Sequence, residues 1–351
     1  MKHDDYVPLL NLTRGEVIES CHFGAFVVAD REGKIIASEG NSATRTFPRS
    51  SMKPLQSLAF LENGGDQYWG LTPKEIAITC ASHSGTDQHV EVLKNLHSRI
   101  GISVNDLKCG VHWPMDKATA EAMKAKNEVP DAYRHNCSGK HTGMLAFAKM
   151  QGLPLEDYLE LDHPVQQTIR QVVAEMCDLD PSGIQPGLDG CSAPVYALPL
   201  QNFAMAIARL CDPEGLNPQR ASASQRIFSA MASHPEMVAG PGRFDTILMQ
   251  AMNGKLIAKG GAEGYQCMGI KPGALGKGSP ALGIALKISD GDHAKRAISS
   301  VSLAILEKLG LMDVKVSSAM QEFSMQKIYN WRHLEVGVMQ PAFSMDQVSW
   351  R

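Results

Sequence analysis

The sequence predicts an α+β fold, in which strands near both ends of the chain build one antiparallel sheet and a helical region is inserted between them. Two observations favour this fold class. Residues 16–38 and 255–288 contain short strand-like runs separated by turn residues, whereas residues 52–252 carry apolar side chains at helical spacing. We therefore expect one domain over residues 1–351. Its parts are a sheet part at about 12–50 and 253–340, a helical part at about 51–252, and a short tail at 341–351.

The first predicted element is a β-hairpin over residues 16–38. Two short apolar runs, at residues 26–29 and 35–37, are rich in the β-branched and aromatic residues that strands prefer. The segment between them contains Gly33, which can adopt the positive φ that a tight turn requires. The pattern therefore predicts two antiparallel strands at the start of the sheet.

Helices follow through the middle of the chain. Several have recognisable start signals, such as Thr86 before Asp87, or Pro164 in a first turn, where its missing N–H is not needed. The predicted helices span residues 54–62, 87–99, 116–126, 140–151, 163–177, 199–211, 219–232 and 243–252. The pattern contains no internal repeat and no coiled-coil heptad run.

Near the C-terminus, the spacing of apolar side chains changes back to the alternation that is typical of strands. Residues 255–259, 265–270 and 281–288 read as strands separated by glycine-containing turns. An amphipathic helix over 292–309 and a short strand near 334–338 complete the prediction. If the strands from both ends share one sheet, Lys259 lies on a strand that borders it.

The composition narrows the class of protein. With 44% hydrophobic and 20% charged residues the chain has the make-up of a globular domain, and a net charge of -3 gives no electrostatic case for nucleic acid or an anionic membrane. No apolar run approaches the 18 or so residues of a membrane span, and the first residues do not resemble a secretory signal. The eight cysteines contain no C-x-x-C pair, which favours thiols over a disulfide framework. We expect a cytoplasmic protein.

The first chemical motif lies in residues 49–54, where Ser50 and Lys53 are separated by one helical turn. A serine hydroxyl is a weak nucleophile until a nearby group removes its proton, and residues i and i+3 share a helix face. A lysine that accepts this proton near neutral pH needs a pKa about 3 units below the unperturbed value of about 10.4. Alone, an S-x-x-K motif is weak evidence, and the residues around it decide its meaning.

Further reactive residues lie in short loops. Residues 135–143 contain two histidines, a cysteine and a lysine, and residues 189–194 contain a second cysteine beside glycine. Two thiolates from separate loops could bind one zinc ion, although a buried cysteine is more often a small apolar side chain. Residues 81–86 have the composition of a capped turn. Lys259 and Gly260 begin a glycine-rich segment that lets a ligand approach the backbone closely.

Five of these stretches together resemble the class 3 L-asparaginases, the cysteine-containing asparaginase II family that is distinct from the asparaginases with a threonine nucleophile. Their order and separation fit that family, and the resemblance runs from about residue 12 to about residue 340. The matching stretches are residues 49–54, 80–85, 136–141, 189–194 and 259–264.

The resemblance implies a fold like that of the serine β-lactamases and glutaminases. It also implies two Ser–Lys pairs, Ser50 with Lys53 and Ser82 with Lys259. Homodimers are the assembly expected on the same grounds.

A zinc site is a further implication of the resemblance, with the metal tuning the site rather than being obligatory. Its ligands would be Cys137, Lys140 and Cys191.

The expected reaction is hydrolysis of L-asparagine to L-aspartate and ammonia. Asparagine is a zwitterion, so its carboxylate suits the guanidinium of Arg49 and its ammonium suits the carboxylate of Asp189. His141 and Gly260 complete the expected substrate-binding residues, and His141 either contacts the substrate or holds Lys140.

Two alternatives remain open. One is a glutaminase or another amidohydrolase that forms an acyl-serine, although the S-D-N and K-T-G motifs of penicillin-recognising enzymes are not found. The other is a non-catalytic protein that binds zinc or an amino acid. The presence of both serines and both lysines argues against the second.

Overall fold

The structure is a computed structural model that describes residues 5–324 and 327–345. Within it the chain forms two compact units. The sheet unit comprises Met1–Pro48, Leu198–Asp212 and Ile247–Arg351, and the helical unit comprises Arg49–Ala197 and Pro213–Thr246. The prediction of a single functional domain over the whole chain stays a prediction, and residues 346–351 of the predicted tail lie outside the described residues.

The strands are numbered in chain order. They are β1 (Val7–Arg14), β2 (Val17–Ala29), β3 (Ile35–Glu39), β4 (Arg45–Thr46), β5 (Gln185–Leu188), β6 (Pro194–Pro199), β7 (Leu256–Gly261), β8 (Tyr265–Ile270), β9 (Leu282–Ile288), β10 (Lys327–Tyr329) and β11 (Glu335–Pro341).

The main sheet is antiparallel and has the strand order β10-β11-β1-β2-β9-β8-β7, with β3 also paired to β2. The long strand β2 organises it. Its first part pairs with β1, and its second part pairs with β3 on that side and with β9 on the other. The C-terminal part of β2 and all of β8 and β9 are buried, as expected for strands covered on both faces.

The helices are likewise numbered in chain order. They are α1 (Lys53–Glu62), α2 (Gly65–Trp69), α3 (Pro73–Thr79), α4 (Asp87–Ile100), α5 (Lys117–Ala125), α6 (Ser138–Met150), α7 (Pro164–Met176), α8 (Leu200–Cys211), α9 (Pro218–Ser233), α10 (Pro235–Val238), α11 (Phe244–Met252), α12 (Ala297–Lys308) and α13 (Val314–Ala319). In the helical unit, α1 packs against α6, α7 and α9, while α3 packs against α6 and α9.

The helix α8 belongs to the sheet unit, although the sequence analysis places residues 199–211 in the helical part. It packs on β9, and the contact is close because Gly283 has no side chain. A Cβ at Gly283 would lie 1.8 Å from the carbonyl oxygen of Ala204. Periodicity identifies a helix correctly but does not say which element the apolar face meets.

The predicted fold class is confirmed, because strands from the N-terminal and C-terminal parts form one antiparallel sheet and helices fill the chain between them. The N-terminal hairpin is confirmed as β2 and β3. The largest boundary error is at α12, which begins at Ala297 rather than near Asp292. The carboxylate of Asp292 instead accepts hydrogen bonds from the backbone N–H groups of Arg296, Ala297 and Ile298, so it caps the helix from outside.

Among the described residues, no helix combines the length and the apolar character that crossing a membrane would require.

Candidate active site

The first part of the site is the entry into α1. Residues Arg49–Met52 form a short 3₁₀ turn that leads directly into the helix, and Pro54 in the first helical turn fits because no N–H is needed there. Arg49 has a φ of 52°, a left-handed conformation that is strained for a residue with a side chain. Ser50 is half-buried on this turn, and Lys53 is buried.

Lys53 is the centre of the hydrogen-bond network. Its Nζ lies 2.6 Å from Ala81 O, 2.8 Å from Ser82 Oγ and 3.2 Å from Cys137 Sγ. Its hydrogen bonds within the described chain do not include one to Ser50. A buried amine needs partners inside the protein, and Lys53 finds them on the 81–82 loop and at Cys137. The pairing of Ser50 with Lys53 stays a prediction.

The loop that carries Ser82 is buried and held from several sides. The backbone N–H of Ser82 donates to Val238 O at 2.9 Å, and the hydroxyl of Ser84 donates to Ala239 O at 2.8 Å. The N–H of Asp116 donates to Ser84 O at 3.0 Å. The loop is thus more than the capped turn that its composition suggests, because it fixes the Ser82 hydroxyl beside Lys53.

Close packing of α6 on α3 brings the next residues to Lys53. A Cβ at Gly139 would lie 2.1 Å from the carbonyl oxygen of Ile78, so only glycine allows this approach. Gly139 is in the first turn of α6, between Cys137 and Lys140, and Lys140 is buried. The absence of a side chain at this glycine therefore lets α6 approach α3, and this approach sets the position of the reactive residues beside it.

The two predicted cysteine loops come together. Lys140 Nζ donates to Cys191 Sγ at 3.0 Å, and hydrogen bonding with Cys191 is the main reason that the pKa of Cys137 lies well below its ordinary value. The ammonium groups of Lys53 and Lys140 lower it further and outweigh burial, which raises it. Burial opposes the charge on Lys140, but the neighbouring sulfur atoms of Cys191 and Cys137 more than offset this effect and raise its pKa.

Arg49 and Asp189 form an ion pair with each other. The Nε and Nη2 atoms of Arg49 lie 2.9 and 2.7 Å from Asp189 Oδ1, and the N–H of Gly190 donates to the same oxygen at 2.7 Å. Burial would raise the pKa of Asp189, but Lys140 and Arg49 hold it below its ordinary value. Three donors on Oδ1 leave Oδ2 without a hydrogen bond from the described residues.

His141 is fully buried on α6. Its Nδ1 lies 2.6 Å from the hydroxyl of Tyr158, while its Nε2 has no hydrogen-bond partner among the described residues. Burial lowers the pKa of His141 to about 4, so the ring is neutral near pH 7. Interaction with the Cys191 sulfur opposes the effect of burial on this pKa, so Cys191 lies near the ring although its geometry does not give Nε2 a hydrogen bond. Nε2 is therefore a candidate contact for substrate or metal.

Lys259 and Gly260 belong to the sheet unit, on the edge strand β7 as predicted. Lys259 is buried and its Nζ donates to Gly260 O at 2.7 Å. The strand ends in a turn at which Glu263 has a φ of 58°. The pairing of Lys259 with Ser82 stays a prediction.

The residues that the sequence analysis missed are His83, His135 and Ser138. The N–H of Cys137 donates to His135 Nδ1 at 3.0 Å, and His83 Nε2 lies 2.9 Å from Ser138 Oγ. Burial is the main cause that lowers the pKa of His135 to about 4. His83 and Ser138 lie within the recognised stretches 80–85 and 136–141, and His135 directly precedes the second, which is the signal that could have found them.

The donor chemistry of Cys137, Lys140 and Cys191 fits a zinc ion. Sulfur and nitrogen ligands suit zinc, the depressed pKa of Cys137 supplies a thiolate, and Nε2 of the adjacent His141 is buried without a partner in the described chain. Within residues 5–324 and 327–345, however, no three His, Cys, Asp or Glu side chains are arranged to hold a metal. The predicted set contains two such residues and a lysine that must first lose its proton.

Comparison with solved structures gives distant similarity. A probable glutaminase from Bacillus subtilis, complexed with 6-diazo-5-oxo-L-norleucine, is 13% identical over 82% of this chain and 84% of its own, with a TM-score of 0.39. The structure of a protein called Mglu is 12% identical over 83% of this chain and 68% of its own, with a TM-score of 0.37. No curated protein sequence matches the chain significantly.

The family comparison is more direct. The model of the family described as L-asparaginase II matches residues 10–341, which include every stretch that carries the resemblance in the sequence. The protein therefore belongs to the L-asparaginase II family and is an amidohydrolase.

Proposed function

We propose that the protein hydrolyses L-asparagine to L-aspartate and ammonia through a serine nucleophile activated by a lysine. The observation that carries the proposal is the family match over residues 10–341. The site supports it chemically, because a carboxamide hydrolase needs a nucleophile, a proton acceptor and a donor for the departing ammonia.

The contact of 2.8 Å between Lys53 Nζ and Ser82 Oγ supports Ser82 as the nucleophile. Lys53, once neutral, accepts the hydroxyl proton as Oγ attacks the amide carbon. The resulting ammonium of Lys53 then gives the proton to the nitrogen of the carboxamide as the carbon–nitrogen bond breaks. Ammonia leaves, and an acyl-Ser82 remains. Water hydrolyses this ester and releases aspartate.

The oxyanion needs a donor other than the backbone N–H of Ser82, since that group already bonds Val238 O. A lysine ammonium can supply the charge, and the expected second cation is Lys259. Ser50, one turn before Lys53, is a second hydroxyl for this site and remains the alternative nucleophile from the sequence pattern. Substitution of each serine separates the two assignments.

Substrate recognition follows from the Arg49–Asp189 ion pair. The unused Oδ2 of Asp189 can accept hydrogen bonds from the substrate ammonium, while the remaining guanidinium donors of Arg49 bind its carboxylate. Nε2 of His141 and the backbone at Gly260 are further expected contacts. When a short zwitterion replaces part of the existing ion pair, neither the guanidinium of Arg49 nor the carboxylate of Asp189 is left buried without a partner.

Zinc bound by Cys137, Lys140 and Cys191 forms part of the proposal. Bound there, it would supply a positive charge that lowers nearby pKa values and favours an anionic substrate. The protein groups retain the nucleophile and base roles, so the metal tunes substrate affinity. A cytoplasmic location, from the scattered cysteines, and a homodimer, from the family resemblance, complete the proposal.

The test is a coupled assay of ammonia release with L-asparagine, L-glutamine and, as a separate substrate, a chromogenic β-lactam. We expect turnover of asparagine to exceed that of glutamine, and no hydrolysis of the β-lactam. Equal or better turnover of glutamine would identify a glutaminase. The comparison is needed because the two substrates differ by one methylene, which changes binding by only about 1–3 kcal/mol. Absence of turnover with both amides would support the non-catalytic alternative.

The same assay assigns the nucleophile. Ser82→Ala should remove turnover, whereas Ser50→Ala should keep more of it. Trapping an acyl-enzyme and locating the modified serine by peptide mass spectrometry gives an independent answer. An acyl group on Ser50 would reverse the assignment.

A further inference from the structure

One fully buried histidine beside the site has no role in the reaction above. His83 follows Ser82 directly and is 0% exposed. Its ring stacks on that of His89, with the centroids 4.8 Å apart. Burying an imidazole costs stability unless both of its nitrogens find partners, and both nitrogens of His83 do.

The partners fix the tautomer of His83. Its Nδ1 accepts a hydrogen bond from the backbone N–H of Gly85 at 3.1 Å, so this nitrogen carries no proton. Its Nε2 lies 2.9 Å from Ser138 Oγ, and the Ser138 hydroxyl donates its own proton to Tyr133 O at 2.9 Å. Nε2 must therefore carry a proton and donate it to Ser138 Oγ.

The bond joins the two segments that meet at Lys53. Ser82 precedes His83, and Cys137 precedes Ser138. Both of these preceding residues bind the same Lys53 ammonium, at 2.8 and 3.2 Å. The His83–Ser138 hydrogen bond thus runs parallel to the Ser82–Lys53–Cys137 bridge, one residue further along each segment.

We propose that His83 is a positioning residue, which acts through its hydrogen bond to Ser138 to hold the Ser82 hydroxyl and the Cys137 sulfur at hydrogen-bond distance from Lys53. The inference rests on the proposed function, in which Lys53 and Ser82 react. Misplacement of a reacting group by about 1 Å can lower the rate by about 10²-fold, so a bond at this place has a catalytic effect without touching substrate.

The charge state of His83 agrees with this role. Burial is the main cause that lowers its pKa well below the ordinary value, and the neighbouring imidazole of His89 and the ammonium of Lys53 act in the same direction. His83 therefore stays neutral. It serves as a fixed donor and acceptor and does not exchange protons with the substrate.

The experiment compares two conservative variants of His83. In His83→Gln the side-chain amide reaches the position of Nε2 and can still donate to Ser138. In His83→Asn the shorter amide reaches the position of Nδ1 and can bond only Gly85. We expect kcat to fall less than about 5-fold in His83→Gln and about 10²-fold in His83→Asn, with KM for L-asparagine changed less than 3-fold in both.

The matched control is His97, a second buried histidine that bonds α6 one turn further along. Its Nε2 lies 2.8 Å from Thr142 Oγ1, and its Nδ1 lies 3.1 Å from the hydroxyl of Tyr133. The variant His97→Asn should lower the melting temperature by about as much as His83→Asn, but kcat should change less than about 3-fold. The concentration of active enzyme is measured by active-site titration, so that loss of folded protein is not mistaken for a lower kcat.

The outcomes separate the two proposals. No turnover of asparagine or glutamine by the wild type would overturn the proposed function and this inference with it. Normal wild-type turnover with an unchanged kcat in His83→Asn, or with equal losses in His83→Asn and His97→Asn, would overturn the inference alone. Equal losses in His83→Gln and His83→Asn would also overturn it, because the bond to Ser138 would then not matter.

Discussion

The two units differ in what they bury. The sheet unit encloses mostly apolar strands, and β8 and β9 are buried along their whole length. The helical unit encloses many polar and ionisable side chains as well as apolar ones. Its buried ionisable residues include Lys53, His83, His89, His97, His135, Lys140, His141 and His163.

This difference shows which unit is organised for stability and which for chemistry. Burial of apolar area stabilises a fold by roughly 25 cal/mol per Å², whereas a buried ionisable group costs stability unless it is paired. In the helical unit nearly every such group has a named partner, and several partners lie at the site. The sheet unit contains one predicted catalytic group, Lys259, at its edge strand.

The largest effect should come from Lys53. Lys53→Met keeps the volume but removes the ammonium, and we expect kcat to fall at least about 10³-fold, because groups that act as one catalytic unit lose most of the rate together. Ammonia release from L-asparagine measures this. Ser57→Ala is the control, since it removes another buried polar group of α1, bonded to Thr79 Oγ1 at 2.6 Å, and should change kcat less than 3-fold. An active Lys53→Met enzyme would mean that the buried charges of the helical unit are structural only.

The next test compares the two units through one glycine in each. Gly139→Ala and Gly283→Ala each place a Cβ against a carbonyl oxygen, at 2.1 Å and 1.8 Å. Both should lower the free energy of unfolding by about 3 kcal/mol, as measured by denaturant titration. Only Gly139→Ala should also lower kcat per active site, because a shift of the start of α6 moves Cys137, whose sulfur lies 3.2 Å from Lys53 Nζ. Equal kcat values in the two variants would remove the functional distinction between the units.

Acid should destabilise the helical unit through its neutral histidines. Burial lowers the pKa of His97 to about 4, below the unfolded value of about 6.5. The unfolded state therefore binds the proton first, so the stabilising contribution is complete above pH 6.5 and declines as the pH falls towards 4. His97 alone should account for roughly 1.5 kcal/mol between pH 6.5 and 5.

Denaturant titration at several pH values measures this decline. His97→Gln should be less stable at pH 7 but should lose less stability on acidification than the wild type. Identical pH slopes for the two proteins would show that His97 does not titrate in this way.

The smallest effect concerns the metal. Cys191→Ala should raise KM about 10-fold and leave most of kcat, since zinc tunes affinity in the proposal, and a chelator should act on the wild type in the same way. Cys211→Ala, which removes a buried thiol from the sheet unit, should leave KM unchanged. Complete loss of turnover after chelation, restored by zinc, would show that the metal drives hydrolysis.

Local patterns in the sequence predicted the longer helices and several strands well, but they missed the short helix α3, whose start at Thr72 carries a local capping box, and they contain no information on distant pairings. The hairpin β2–β3 and the main helices depend on neighbouring residues, so periodicity and turn residues find them. The strand β1 was missed although its hairpin with β2 is local, with Arg14 opposite Val17 and Gly15 at a φ of 58°. Its pairing with β11 is the distant one, with Leu10 opposite Pro341. No window of local sequence contains that pairing.

The site shows the same limit. The spacing of Ser50 and Lys53 predicts a contact along one helix, but Lys53 bonds Ser82, which is 29 residues away. Arg49 and Asp189 were both chosen as substrate contacts, yet their ion pair spans 140 residues and could not be foreseen. Motifs thus identify the reactive residues, while the fold decides which of them are neighbours.

The β1–β11 pairing also has a consequence for synthesis on the ribosome. The helical unit is encoded before residue 247, whereas β7, β8, β9 and β11 all follow it. Until those strands emerge, β1 and β2 have open hydrogen-bonding edges that another chain could pair with. Nascent chains of this protein should therefore depend most on chaperones late in translation, when the helical unit can already be compact and the sheet still lacks its final strands.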